Sequence, residues 1–487
     1  MRLPMPSAGC MDLWAVVPEM LLAALTLALV PVAGFARGRW RGLPALVAGA
    51  GLVASMVLTA RTWNYPAAAA FCGTWAVDRF AVLYKLLIEA AALLSLLMLA
   101  SHFRGRRAQA QVAMPLLFAT VGGLGLVSGL DLALIVLFLE ILSIASYLLA
   151  LLMRTDLKAQ EATLKYFIYA SAALAIMSYG MTFLYGLTGS LDLPGIARGL
   201  HRADPVWLLV AAGIVLVGYG FEITLVPFQF WAPDVYQGAS APATGFISVV
   251  PKIAAFAALL RFLLEALPAY APQWSPLIGV LAVGTMTLGN LAALRQQSLK
   301  RLLAYSSIAQ AGYVLIGVAV ANRSPGGVPA ASFYLLTYLA MNLGAFAVIG
   351  VLERHTGSDA RDVVRGLARR APWLAAVLTL ALLSLAGIPP LAGFAGKILL
   401  LTQAIDGGMA WLAIAGAINM AVGLYYYALV VADMFMEATS QAPPQSARIP
   451  VGAGYAAAAA IATAGTLALG ISPDSVLSAV MAVGWLR

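Results

Sequence analysis

Long apolar runs joined by short polar loops limit the fold of this chain more than any other feature. About fourteen runs reach the roughly 18 residues expected of a transmembrane helix. Only 10% of the 487 residues are charged and 62% are hydrophobic, whereas a soluble domain is about half apolar and a quarter charged. The sequence therefore predicts an all-α polytopic membrane protein. The approximate limits of the runs are 12–35, 42–60, 76–101, 111–129, 131–153, 162–186, 206–232, 239–265, 275–294, 303–322, 330–353, 372–404, 409–435 and 451–474.

Helix-breaking residues interrupt some of these runs. The twelfth run is too long for one straight helix, and the seventh is rich in glycine before its proline. Proline lacks a backbone donor and interrupts a helix, so breaks are predicted at Pro227, Pro251, Pro389 and Pro390. Interruptions five runs apart favour an internal repeat, in which such breaks often mark the transport site. An ordinary proline kink is the alternative for either helix alone.

The basic residues of the loops predict an orientation. Loops after odd-numbered runs hold roughly 17 Lys and Arg, and the other loops and the termini hold roughly 6, which places the odd loops in the cytoplasm and both termini outside. No loop is long enough for a soluble domain. The basic side chains that decide the orientation are Arg37, Arg39, Arg41, Arg104, Arg106, Arg107, Arg154, Lys158, Arg295, Lys300, Arg301, Arg354, Arg361, Arg365, Arg369, Arg370 and Arg448.

Several functional classes are disfavoured by composition. The net charge of +9 comes from short loops and not from a basic soluble face, so nucleic-acid binding is not expected. Cys10 and Cys72 are too few for a disulfide framework or a Cys-ligated cluster. The three histidines lie in loops or at helix ends, and phosphate loops, nucleotide fingerprints and nucleophile elbows are missing. The sequence predicts no catalytic residue, bound cofactor or metal site in this chain.

Four charged residues lie far from the ends of their runs. They are Glu140 in the fifth run, Glu222 in the seventh, Lys252 in the eighth and Lys397 in the twelfth. Each costs roughly 2.5–3.5 kcal/mol at mid-membrane on insertion scales. Burial disfavours the charged form of both Glu and Lys, and neighbouring charges shift that balance again. A row of such groups, joined by water near broken helices, is typical of a proton path.

Buried ion pairs that only fix helix register are the alternative for these residues. Two other pairs have i,i+4 spacing and can neutralise themselves locally: Lys85 with Glu89, and Glu161 with Lys165. Lys165 lies one turn deeper than Glu161 and is retained as an accessory candidate for the path. Arg261, Asp433 and Glu437 lie near helix ends and are interpreted as structural.

Three segments carry a family resemblance. They are Leu225-Val-Pro-Phe-Gln-Phe-Trp231-Ala-Pro-Asp234-Val-Tyr-Gln-Gly-Ala with Ser248-Val-Val-Pro-Lys252, then Leu299-Lys-Arg-Leu-Leu-Ala-Tyr-Ser-Ser-Ile-Ala-Gln-Ala-Gly-Tyr313, then Ser384-Leu-Ala-Gly-Ile-Pro-Pro-Leu-Ala-Gly-Phe-Ala-Gly-Lys397. Together they resemble subunit N of proton-pumping NADH-quinone oxidoreductase, respiratory complex I. The resemblance covers essentially the whole chain.

The resemblance implies two inverted five-helix repeats within one membrane domain, spans 4–8 and 9–13, with helices 7 and 12 broken. The parts of residues 1–487 would be an N-terminal three-helix segment 1–110, repeats 111–265 and 275–435, and a last helix 451–474. The family's proton path uses a Glu on span 5 and lysines on spans 7, 8 and 12. Glu140, Lys252 and Lys397 match three of these positions.

The seventh-span position departs from the family pattern, because Glu222 stands where a Lys is expected. Two neighbouring carboxylates repel, so one of them should hold its proton at neutral pH. Such a pair can still relay protons, or Lys165 or Lys252 serves as its counter-ion. The remaining alternative is that the proton path of this chain has diverged and is partly inactive.

The resemblance predicts a proton-translocating subunit of a complex I-type NADH:quinone oxidoreductase in the bacterial inner membrane. NADH, FMN, iron–sulfur clusters and quinone would be bound by partner subunits, and its partners would be other membrane subunits and lipid. A subunit of a cation/proton antiporter or membrane-bound hydrogenase complex is the alternative. A structural membrane subunit that conducts no ions is the second alternative.

Overall fold

The computed structural model of the protein describes residues 12–35, 42–65, 67–103, 109–152, 157–202, 204–436 and 449–483. Both chain ends lie outside these ranges, so the orientation of the termini stays a prediction. Glu437 and the side chain of Lys158 also lie outside them. So do the following arginines of the orientation argument: Arg37, Arg39, Arg41, Arg104, Arg106, Arg107, Arg154 and Arg448.

The N-terminal part consists of three long helices and a small hairpin. A 3₁₀ turn at Leu13–Val16 leads into α1, and the hairpin pairs Ala69 with Ala76 in antiparallel register. The elements are α1 (Val17–Phe35), α2 (Leu43–Arg61), β1 (Ala68–Ala70), β2 (Trp75–Val77) and α3 (Arg79–His102).

The remainder of the described chain is helical apart from its connections. The helices of the first half are α4 (Gln109–Ser128), α5 (Leu132–Leu152), α6 (Leu157–Thr188), α7 (Leu193–Gly199), α8 (Pro205–Glu222), α9 (Trp231–Gly238) and α10 (Ala241–Arg261). Those of the second half are α11 (Ala271–Ala293), α12 (Leu299–Ala319), α13 (Gly327–Thr356), α14 (Leu367–Arg370), α15 (Pro372–Ala386), α16 (Ala392–Asp406), α17 (Ala410–Phe435), α18 (Ala453–Ile471) and α19 (Asp474–Met481).

The number of membrane crossings agrees with the hydropathy of the sequence. Thirteen of the described helices are long and apolar enough to cross a membrane, and the pair α15 and α16 supplies one more crossing. The total of fourteen, thirteen plus one, confirms the predicted polytopic all-α fold.

The seventh and twelfth membrane spans are broken, as predicted. The first break separates α8 from α9, and it contains Pro227 and Thr224, whose φ is 61°. The second separates α15 from α16, and Gly387 begins it with a φ of 92° that suits a residue without a Cβ. Pro389 and Pro390 follow, and they cannot supply the backbone donors that a continuous helix needs. The carbonyls of Leu385 and Ala386 therefore lack a helical N–H partner and accept from side chains instead.

Pro251 does not break a helix, so that prediction is wrong. It lies inside α10, which continues from Ala241 to Arg261. The whole of α10 is buried, and packing on all sides holds a helix together when proline removes one internal hydrogen bond. One proline without a neighbouring glycine is therefore too weak a signal to predict a helix break.

Capping residues and burial determine where the helices begin and how they are arranged. Asp78, Asp204 and Ser298 precede α3, α8 and α12, and each accepts a hydrogen bond from a first-turn backbone N–H. Helices α10, α12 and α13 form the centre of the bundle, and their residues are nearly all buried. Helices α1, α2, α6 and α17 surround them and expose large apolar side chains, as a lipid-facing surface requires.

Candidate functional site

Lys252 lies midway along α10, and its ammonium group is held by neutral oxygens. The residue is only 2% exposed. Its Nζ donates to Thr224 Oγ1 at 2.8 Å, to the Ser307 carbonyl oxygen at 2.9 Å and to Ser307 Oγ at 2.5 Å. Thr224 belongs to the first helix break, which thereby supplies one of the three acceptors. No acidic residue of the described ranges forms an ion pair with Lys252.

Lys397 has a comparable environment beside the second break. It is also 2% exposed, and its Nζ donates to the carbonyl oxygens of Leu385 at 2.7 Å and Ala386 at 3.2 Å. These carbonyls end α15, where the helix dipole favours a positive charge. The ammonium group also lies 4.4 Å from the ring centroid of Tyr313, an attraction between a cation and an aromatic face. Here too, the described chain provides no carboxylate partner.

Helix α12 connects Lys252 to neighbouring hydroxyl groups. Ser307, which binds Lys252, also lies 2.8 Å from the Tyr338 hydroxyl and 3.2 Å from the Tyr236 hydroxyl. Tyr338 in turn donates to the carbonyl oxygen of Ser248 at 3.2 Å. Hydroxyl groups both donate and accept, so this row can pass a proton from group to group.

The same helix reaches Lys397 through a second row of polar groups. Ser306 shares a hydrogen bond with the Tyr427 hydroxyl. Gln310, one turn further along, donates to that hydroxyl at 3.1 Å and to the Leu385 carbonyl at 3.0 Å. Leu385 is the residue whose carbonyl also accepts from Lys397. The two rows therefore start from adjacent residues of α12, Ser307 and Ser306.

Glu222 ends α8 and is buried beside α5. It is 1% exposed, and Ser143 on α5 is the side chain placed to donate to its carboxylate. Glu140 on α5 lies close enough to interact with it electrostatically, as does Tyr236. Because Tyr236 also contacts Ser307, it connects the carboxyl pair with the Lys252 row.

Lys165 pairs with groups other than Glu222. Its Nζ lies 2.7 Å from Glu161 Oε1 and 2.9 Å from Asp234 Oδ2. Arg301 binds the other oxygen of Asp234 at 2.7 Å. The local Glu161–Lys165 pair is thus confirmed, and neither Lys165 nor Lys252 forms an ion pair with Glu222 in the part of the chain that the structure describes.

The prediction of a local ion pair between Lys85 and Glu89 is wrong. Lys85 Nζ lies 2.7 Å from Glu19 Oε1. Glu89 Oε1 instead accepts hydrogen bonds from Ser55 and Thr59. A spacing of four residues brings two side chains to one helix face, but α1 and α2 pack on that face and supply closer partners.

Sequence reasoning missed the neutral members of the network. Ser306 and Gln310 are four residues apart on α12, and Tyr334 and Tyr338 have the same spacing on α13. A stripe of hydroxyl and amide groups along one face of an apolar run is a readable signal, because uncharged polar groups also need partners in a membrane.

The acidic, histidine and cysteine side chains of the described ranges are scattered. No group of three or more His, Cys, Asp or Glu side chains in those ranges could hold a metal ion. The chemistry that the site offers is therefore that of carboxyl, ammonium and hydroxyl groups that exchange protons.

The sequence is similar to those of complex I subunits. Residues 129–423 match the family described as NADH:quinone oxidoreductase/Mrp antiporter, TM. The chain is 38% identical over 472 residues to NADH-quinone oxidoreductase subunit N of Trichlorobacter lovleyi, covering 96% of each sequence. It is 40% identical over 436 residues to NAD(P)H-quinone oxidoreductase subunit 2 of Thermosynechococcus vestitus, covering 88% of this chain and 83% of the relative.

Solved structures agree with these relatives. A chain of respiratory complex I from Thermus thermophilus superimposes with a TM-score of 0.81 at 34% identity, over 96% of this chain and 100% of that one. A chain of the Mrp complex from Dietzia sp. shares the fold at 22% identity, with a TM-score of 0.84 and 97% of each chain covered. The chain thus belongs to the NADH:quinone oxidoreductase/Mrp antiporter transmembrane family, among the relatives named subunit N.

Proposed function

We propose that this chain is a proton-translocating subunit of a complex I-type NADH:quinone oxidoreductase. Its relatives named subunit N support the placement in such a complex. In this proposal Glu140, Glu222, Lys252 and Lys397 carry the proton path, with Lys165 as an accessory. Electron transfer takes place in partner subunits, which bind NADH, FMN, the iron–sulfur clusters and quinone.

The observation that carries the proposal is the pair of buried lysines with neutral partners. An ammonium group fixed by a carboxylate loses an ion pair when it gives up its proton, which leaves a buried charge at a cost of several kcal/mol. Within the described chain, the oxygens that bind Lys252 and Lys397 belong to hydroxyl and carbonyl groups. Each can change its charge without leaving an uncompensated carboxylate behind.

The route between the lysines follows α12. It joins Lys252 to Ser307, and from the adjacent Ser306 it reaches the Tyr427 hydroxyl, which Gln310 holds beside the Leu385 carbonyl that binds Lys397. Gln310 conducts no proton as an ordinary amide, so it positions the hydroxyl groups beside it. Water next to the two helix breaks would complete the path.

The position of Glu140 supports a neighbouring membrane subunit as partner. Glu140 is half-buried on α5, and Leu137 and Ile144 on the same face are 52% and 47% exposed. A carboxyl group turned toward lipid is costly. We place another subunit against this face, so that proton transfer continues between chains.

The proposed location is the bacterial inner membrane, with both termini on the non-cytoplasmic side. The distribution of loop Lys and Arg supports this orientation. Division into a three-helix segment, two inverted repeats and a last helix accompanies the proposal, and helix breaks five crossings apart support it.

An antiporter or hydrogenase-type complex is the second candidate, since the Mrp chain shares the fold. The identity of 22% to that chain carries the fold alone. Purification of the native assembly separates the candidates, because only the complex I-type machine copurifies with NADH-oxidising subunits.

Lys397→Met and Glu140→Gln test conduction in the assembled complex. Both variants should lower proton pumping and coupled quinone reduction several-fold, since each removes a titratable group from the path. Asp406→Asn is the matched control, because Asp406 lies exposed at the end of the same helix as Lys397. Normal pumping in both variants, with normal assembly, would leave the structural-subunit alternative standing.

A further inference from the structure

Three buried charged side chains meet outside the path between Lys252 and Lys397. Glu19 on α1, and Lys85 and Glu89 on α3, form a cluster with the hydroxyl groups of Ser55 and Thr59 on α2. We call these five residues the N-terminal carboxyl cluster. Glu19 is 5% exposed, Lys85 6% and Glu89 0%.

We infer that this cluster is a second proton-binding site, in which Glu19 and Glu89 share one exchangeable proton beside Lys85. It lies among the first three helices and shares no residue with the α10, α12 and α13 network. The proton enters as a hydrated proton, binds one carboxylate oxygen to form a neutral carboxyl group, and leaves by the reverse step.

Charge balance is the first argument. With all three groups ionised, two carboxylates and one ammonium group give the cluster a net charge of −1. An uncompensated charge inside a membrane costs roughly 2.5–3.5 kcal/mol or more. One bound proton makes the cluster neutral, which removes that cost.

Charges on the surrounding helices do not supply the balance. Glu19 and Lys85 are the charged groups that act on Glu89, and Lys85 also attracts Asp78, which Arg261 binds. Arg61 lies exposed at the end of α2. Helices α4 and α18 also pack on α3, and neither contains an Asp, Glu, Lys or Arg. On α10, Lys252 binds Ser307 and Arg261 binds Asp78.

Helix α13, the other neighbour of α3, carries charges at one end only. Glu353 pairs with Lys300 there, and Arg354 donates to the Ser101 carbonyl near the opposite end of α3 from Lys85. The excess negative charge therefore stays within the N-terminal carboxyl cluster.

The hydrogen bonds of Glu89 fit a carboxyl group that holds a proton. Oε1 accepts from both Ser55 and Thr59, whereas Oε2 has no partner among the described residues. An ionised carboxylate needs donors at both oxygens, and Oε2 receives none, so a proton bound there removes a poorly stabilised buried charge. Both oxygens of Glu19 likewise lack a hydrogen-bond donor in the described chain, apart from the ionic contact with Lys85.

The cluster lies toward one face of the membrane. Glu19 lies in the first turn of α1, and Thr59 lies in the last turn of α2, which ends at Arg61. Lys85 and Glu89 are about 9 Å and 15 Å along α3 from its start at a rise of 1.5 Å per residue. The cluster thus extends from near one face to about the middle of a hydrocarbon core roughly 30 Å thick.

Infrared spectroscopy of the purified complex with isotope-labelled glutamate tests the inference. The wild-type complex at neutral pH should show a protonated-carboxyl band that shifts in D₂O, and Glu89→Gln or Glu19→Gln should remove or displace it. Glutamine at position 89 keeps an oxygen for Ser55 and Thr59, so folding should be retained. Glu161→Gln, which changes an exposed carboxyl group, is the matched control and should leave the band unchanged.

Lys85→Met gives the sharper result. Without its ammonium group the cluster would carry two negative charges, so both carboxyl groups should be protonated and the band should grow about twofold. Absence of any glutamate band that responds to Glu19 or Glu89 would overturn the inference, and so would a band that responds to sodium at constant pH. These readouts do not depend on pumping, so they are independent of the function proposed for Lys252 and Lys397.

Discussion

Ser307 offers both its carbonyl and its hydroxyl oxygen to Lys252, at 2.9 and 2.5 Å from Nζ. One residue of α12 thus accounts for two of the three hydrogen bonds of a buried ammonium group. The hydroxyl also contacts Tyr338 and Tyr236, so it is the point where Lys252 joins the remaining network.

Ser307→Ala should therefore reduce proton pumping several-fold while the complex still assembles. The carbonyl and Thr224 would continue to hold Lys252, so the loss is that of one hydrogen bond to a charged group, about 1.5–3 kcal/mol. Proton uptake by inverted vesicles during NADH oxidation measures the effect. Thr337→Ala is the control, because that buried hydroxyl bonds only the carbonyl of Tyr334 on its own helix; equal losses in both variants would contradict a specific role for Ser307.

Glu222→Lys should keep or raise pumping, whereas Glu222→Leu should lower it. A lysine at the end of α8 suits the helix dipole and would face Glu140 with the opposite charge. Leucine removes the titratable group altogether. Pumping rates of the two variants, normalised to assembled complex, distinguish the outcomes, and a fully active leucine variant would show that this position takes no part in the path.

Lys300→Met should destabilise the chain by about 3–5 kcal/mol, the cost of breaking a buried ion pair. Lys300 is fully buried, and its Nζ lies 2.7 Å from Glu353 Oε1 and 2.8 Å from the Ala239 carbonyl oxygen. Combining Lys300→Met with Glu353→Gln should recover part of the loss, because glutamine is neutral and can still accept from Ala241 N. Thermal unfolding of the purified complex measures both, and a double variant less stable than Lys300→Met would contradict the pairing.

Asp78 should make stability depend on acidity at the start of α3. Burial alone would raise the pKa of Asp78, but Arg261 at 2.8 Å and the Ala81 N–H hold that pKa below its ordinary value of 3.8. A depressed pKa gives stability that is complete above pH 3.8 and is lost as the pH falls below it toward the folded-state pKa.

The matched variant for that dependence is Asp78→Asn. It should be less stable than the wild type at neutral pH. The difference in stability between the two proteins should narrow as the pH falls below about 4. Thermal midpoints across this range provide the measurement. If the difference in thermal midpoint stays constant over this pH range, the charge of Asp78 contributes nothing beyond its capping hydrogen bond.

Features with a large local cost could be predicted from the sequence. A charge such as Lys397 within an apolar run is expensive, and paired signals such as Gly387 with Pro389 and Pro390 end a helix wherever they occur. The crossings, the two breaks and the buried lysines follow from such costs. Pro251 shows the limit, since tight packing around α10 overrides one proline.

Tertiary partners could not be predicted in the same way. Lys85 binds Glu19 on another helix instead of Glu89 one turn away, because the choice depends on how α1 packs against α3. Ser307 and Gln310 resemble ordinary helix residues until their neighbours are known. Sequence spacing shows which side chains share a face, but it does not show what lies opposite that face.

Ser306 and Ser307 are consecutive in the chain, yet they bind different neighbours. Successive residues of an α-helix are about 100° apart around its axis, so Ser307 faces Lys252 while Ser306 faces Tyr427. A rotation of α12 about its own axis would therefore change the hydrogen bonds of both serines at once. Lys252 and Lys397 would then feel each other's protonation through the rotation of a single rigid helix, without any contact between them.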